Sequence, residues 1–123
     1  MKTLEELKPQ IEVTLQTWHR GQVQRAEKWE LVEKLFEVSI PTEERNNNNP
    51  YERRMRAAIS EMRKDGKLIC SDTAGGYWWA SSIDEVLTMS TDLRNRAKDL
   101  LLTAKQMRAE GKRAFGGQMR LPL

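Results

Sequence analysis

The chain has 123 residues, one domain's worth of polypeptide, and its 38% hydrophobic content is enough to build one modest core. Lys and Arg number 21 against 18 Asp and Glu, a net charge of +3 that admits a polyanionic partner without requiring one. One cysteine, Cys70, and one histidine exclude an intrachain disulfide framework and a conventional zinc site; with no bilayer-length apolar run and an acidic N-terminus unlike a signal peptide, a cytoplasmic protein without membrane contact or cofactor is expected.

Residues 4–20 read as an amphipathic helix, because Leu4, Leu7, Ile11, Leu15 and Trp18 recur at three- and four-residue spacing. Thr3 and Glu6 have the spacing of a capping box. Pro9 predicts either a start closer to itself or a bend, and Gly21 a stop. Gly21–Arg25 is a candidate minimal strand. A second helix is expected at about 27–37, with Trp29, Val32, Leu35 and Phe36 as its apolar stripe. Trp18, Trp29 and Phe36 are all expected in the core.

Residues 41–50 form a polar loop, since four consecutive asparagines favour turns. Asn49 then caps a third helix with Pro50 at its first position. This helix runs to about Asp65 and stops at Gly66. Tyr51, Met55, Ala58, Ile59 and Met62 lie on one face, with Arg53, Arg56, Ser60, Arg63 and Lys64 on the others. Residues 67–72 read as a strand, 73–76 as a glycine turn, and 77–80 as the return strand. Alternation puts Tyr77 and Trp79 on one face of that strand and Trp78 on the other. Cys70 reads as a small core hydrophobe, and His19 as a structural or surface residue near a helix end.

Ser82 and Glu85 form a capping box for a long helix reaching about Glu110. Its heptad stripe runs Ile83, Val86, Ser90, Leu93, Ala97, Leu100, Ala104 and Met107. Two arrangements suit such a stripe: packing on the first helix of the same chain, or pairing with a second copy through residues 83–107. The reading favours the homodimer. The organisation expected is a domain at 1–81, the long helix at 82–110 and a flexible tail at 111–123.

Arg53-x-x-Arg56-x-x-Ile59-x-x-Met62-Arg63-x-x-Gly66-x-x-Ile69-x-Ser71, followed by Gly76-Tyr77-Trp78, resembles a pattern of bacterial and phage winged helix-turn-helix proteins. The resemblance spans roughly residues 20–110. It implies a mainly α fold with a small β-hairpin wing, a winged helix-turn-helix that continues into a long C-terminal helix. The asparagine-rich loop at 41–50 is longer than that pattern has, and Met62 stands where it prefers leucine.

The charge distribution agrees. Residues 1–50 carry 7 basic and 9 acidic residues, 51–67 carry 6 and 3, and 68–123 carry 8 and 6. Positive charge is thus enriched in the third helix, where phosphate neutralisation and arginine pairing to guanine would operate. The residues expected to touch double-stranded DNA are Arg53, Arg54, Arg56, Ser60, Arg63, Lys64, Lys67 and Thr73. Arg53 and Arg56 are placed for base edges, Arg54, Arg63 and Lys64 for phosphates, and Lys67 and Thr73 for backbone beside the wing. No phosphate loop, nucleophile elbow or convergent carboxylate pair is present in the sequence, so a non-enzymatic protein is expected. The resemblance makes it a phage- or prophage-type regulator of transcription or replication. The alternative is a winged-helix module that binds protein, including a host factor.

Overall fold

A computed structural model describes residues 1–118. The fold is mainly helical, with a small three-stranded antiparallel sheet and a long C-terminal helix. Helix α1, Leu4–Trp18, starts at the predicted capping box: the Thr3 side chain accepts from the Glu6 N–H, and the Glu6 carboxylate accepts from the Thr3 N–H at 3.1 Å. Pro9 sits inside this helix, and the start is not displaced towards it. Leu7, Ile11 and Leu15 are fully buried, whereas Trp18 is 64% exposed. Its expected core role is therefore corrected: the helix ends there and the inward stripe closes at Leu15.

The predicted strand at 21–25 is instead a 3-10 turn, Gln22–Gln24, and the strand follows as β1, Ala26–Glu27. Gly21 allows this course, because it is buried at φ +82° and a Cβ there would lie 3.0 Å from Ser81 Oγ. Helix α2 spans Lys28–Phe36 and buries Leu31, Val32, Leu35 and Phe36, while Trp29 is only half-buried. The polar loop contains a second 3-10 turn, Thr42–Glu44.

Helix α3, Pro50–Lys64, begins as its sequence dictates. Asn49 Oδ1 accepts from the N–H groups of Tyr51 and Glu52, while its Nδ2 donates to the Glu44 carbonyl at 3.1 Å. Such caps contribute about 0.5–2 kcal/mol. Met55, Ala58, Ile59 and Met62 face inward. Each large apolar side chain buried in this way contributes about 1.5–3 kcal/mol.

Strands β2, Ile69–Ser71, and β3, Gly76–Trp79, close a tight hairpin in which Gly75 takes φ +90°. Strand β3 lies between β1 and β2. Tyr77 and Trp79 point into the core cluster shared with α1, α2 and α3. Trp78 is buried too, outside that cluster and in register with Cys70.

Helix α4 is Ile83–Phe115, followed by a 3-10 turn at Gly116–Gln118. The chain divides into two compact units, Met1–Leu87 and Thr88–Leu123, so the boundary falls inside α4 rather than at 81/82. Residues 111–115, expected in a loose tail, are helical: Gly111 lowers helix stability by roughly 1 kcal/mol without ending the helix. The remainder of that expected tail, 119–123, lies outside the described residues. No helix among the described residues is long and apolar enough to cross a membrane.

Candidate nucleic-acid interface

With Met55, Ala58, Ile59 and Met62 turned inward, the outward ridge of α3 follows at four-, three- and four-residue steps: Arg53, Ala57, Ser60 and Lys64, all exposed. Among the described residues, neither Arg53 nor Lys64 has an ion-pair partner. No acidic residue stands on this ridge. The nearest exposed carboxylate on the helix, Glu61, is bound to Lys8 of α1 at 2.7 Å. The small Ala57 and Ser60 leave the middle of the ridge low between two cations.

Of the other predicted residues, Arg54, Arg56, Arg63 and Lys67 are already engaged. Arg56 is half-exposed, but its Nε donates to Glu52 Oε1 at 2.8 Å and its guanidinium to the Asn47 carbonyl at 3.1 Å. Arg54 donates to the Lys2 carbonyl at 3.3 Å. Arg63 donates from Nε to the Ile69 carbonyl at 2.8 Å and from the guanidinium to Ser71 Oγ at 3.1 Å, which braces the end of α3 against β2. Lys67 pairs with Glu12 of α1 at 3.2 Å. Thr73 is exposed at the hairpin tip.

No family model, curated protein or solved structure matches this chain. What the surface can do is therefore read from its own residues.

Two cations that sequence reasoning passed over stand beside the hairpin. Strand β1 pairs Glu27 with Gly76, which brings Arg25 and Lys28 to the turn. A Cβ on Gly76 would lie 2.5 Å from Arg25 Cδ, and one on Gly75 would lie 3.7 Å from Lys28 Cε. Arg25 Nε is 3.4 Å from Asp72 Oδ2, and Lys28 Nζ is 5.4 Å from the Trp29 ring centroid. Lys28 Nζ also lies 3.9 Å from Glu52 Oε2, on the same carboxylate that holds Arg56. Lys28 thus stands between the hairpin, where it lies beside Arg25, and α3, where it shares the Glu52 carboxylate with Arg56. Only the pairing of β1 with β3 creates this arrangement, and nothing local in the sequence around Arg25 signals it.

The rest of the surface offers less chemistry. Among the described residues, no group of three or more His, Cys, Asp or Glu converges in a way that could hold a metal ion. The Cys70 thiol is buried and raised above its ordinary value, chiefly by desolvation. His19 caps the end of α1, and its Nδ1 lies 2.8 Å from the Gln24 carbonyl.

Proposed function

We propose that the first unit is a winged helix-turn-helix that binds double-stranded DNA, with α3 entering the major groove and the 72–75 hairpin lying against the flanking backbone. Its role would be regulatory and non-enzymatic, in transcription or replication of a phage or prophage type. The observation that carries this reading is the acid-free outward ridge of α3, where Arg53 and Lys64 have no ion-pair partner among the described residues. A helix of this width fits the groove, and residues of its N-terminal half reach base edges. Arg53 is the base-reading residue of the set, with Arg56 held beside it. Lys64, Arg25 and Lys28 are suited to phosphates.

Fluorescence anisotropy with random and genomic duplexes tests the proposal. Arg53→Ala should reduce discrimination between sequences by about 1–3 kcal/mol. Lys64→Ala should weaken all duplexes alike and lower the slope of log affinity against log salt by about 1. No duplex binding at low salt, or affinity unchanged by both substitutions together, would refute it.

A second reading, a protein-binding module, draws on apolar side chains that the first unit leaves in water: Val13, Trp18 and Val23 are 63%, 64% and 96% exposed. Recovery of a protein partner whose capture is abolished by Trp18→Ala, without duplex binding, would favour it.

A further inference from the structure

Helix α4 is long, and most of it lacks the support that normally sustains a helix. Of its residues from Ile83 to Phe115, Met89 alone is buried. Isolated helices are marginal in water, and in folded proteins most of their stability comes from packing an apolar face. Here that face exists and is uncovered: Leu93, Leu100 and Met107 are 39%, 71% and 70% exposed. The heptad positions opposite them are small, with Ser90, Ala97, Ala104 and Gly111 recurring every seven residues.

We infer that α4 pairs with α4 of a second copy of this chain in an antiparallel coil whose register sets Ala97 against the partner's Leu100. The inference does not depend on DNA binding.

One register satisfies the size pattern along the whole stripe. With Ala97 level with the partner's Leu100, Leu93 meets Ala104, Ser90 meets Met107, and Val86 meets Gly111. Every layer then sets a large side chain against a small one, which lets the helices approach closely without voids. A parallel in-register pair would instead stack large on large and small on small.

The charges of α4 stand outside this seam. Residues 83–99 carry Asp84, Glu85, Asp92 and Asp99 against Arg94, Arg96 and Lys98, a balance of 3 − 4 = −1. Residues 100–115 carry Lys105, Arg108, Lys112 and Arg113 against Glu110, a balance of 4 − 1 = +3. In this register Asp84 draws level with the partner's Arg113, Glu85 with its Lys112, Asp92 with its Lys105, and Asp99 with its Lys98. These groups stand at the outer heptad positions, on the solvent side of the coil, so they match in axial level without meeting across the seam. Leu101 flanks the seam next to the partner's Arg94, whose methylene stem can cover it. Leu102 faces away.

Sedimentation equilibrium of the full chain at up to about 100 μM, with Leu100→Glu as the comparison, tests the pairing. A dimer whose dissociation constant rises about 100-fold or more in the variant is expected. A monomer throughout, or a dimer indifferent to the substitution, overturns the inference. Leu100 is well exposed, so loss of pairing would not reflect a collapsed core. Orientation is read from nitroxide distances on Lys98→Cys and, separately, Arg108→Cys chains, since Cys70 is buried. The antiparallel register places the two 98 labels nearly level and the two 108 labels about 30 Å apart, from 19 residues at ~1.5 Å rise. A separation under about 20 Å at 108 means a parallel pair and refutes the proposal.

Discussion

Glu52 is fully buried, the one such charged side chain among the described residues. Its Oε1 accepts from Arg56; Oε2 lies 2.7 Å from the same nitrogen but off hydrogen-bonding geometry, with Lys28 at 3.9 Å. Removing one partner of a buried ion pair costs several kcal/mol because the remaining charge is stranded, whereas removing both charges is often nearly neutral. Arg56→Ala is therefore expected to destabilise the first unit by about 1–3 kcal/mol, less than a fully buried pair because Arg56 is half in water. Glu52→Gln combined with Arg56→Ala should recover most of that loss in urea unfolding. A double variant no more stable than Arg56→Ala would contradict this account. Loss of duplex binding in Arg56→Ala alone would thus mix recognition with folding, and Arg53 and Lys64 are the cleaner probes. The buried carboxylate also acts on its surroundings: Tyr77 is raised above its ordinary value by desolvation first and by Glu52 second.

The order of elements was legible because its punctuation is local. The capping box at Thr3 and Glu6, the Asn49-Pro50 start of α3, the Gly66 stop and the glycine turn of the hairpin all act within a few residues of themselves. What was not legible came from elsewhere in the chain. Nothing near Arg54, Arg63 or Lys67 announces that the Lys2 carbonyl, Ser71 or Glu12 will claim them. Nor does the alternation of α1 show that its stripe closes before Trp18. The start of α4 combines both kinds of information. Ser82 Oγ accepts from the Glu85 N–H as the capping-box spacing predicts, but the Glu85 carboxylate accepts from the Ser81 N–H at 2.7 Å and the Gln22 N–H at 3.0 Å. These donors, Ser81 first, hold Glu85 below its ordinary 4.5. The indole N–H of Trp78, buried and short of hydrogen-bond geometry, adds a little to the same effect. A carboxylate depressed in the folded state stabilises the fold fully above its ordinary value and loses that contribution as pH falls through the folded value. Glu85→Gln should therefore lower stability at neutral pH, and the gap to the unmodified chain should close as pH drops below 4.5. A gap independent of pH in thermal unfolding would show that the carboxylate's charge is not what holds these donors.

For the molecule as a whole, the core resides in one of its two units. Among the described residues, every buried hydrophobic side chain except Met89 belongs to Met1–Leu87. A chain ending after Ser90, which retains Met89, is expected to unfold cooperatively with its midpoint within about 5 °C of the full chain at the same dilute concentration. A broad, non-cooperative melt in calorimetry would show that residues 91–123 complete the first unit. The four tryptophans report on this architecture unequally: Trp78 and Trp79 are shielded in the hairpin, Trp29 is partly covered, and Trp18 stands in solvent. Native emission is consequently a blend of blue and red components, and a dissolved quencher such as iodide removes the red one first. The light that survives quenching comes from β3, so an ordinary fluorimeter can follow the central strand of the sheet without any added dye.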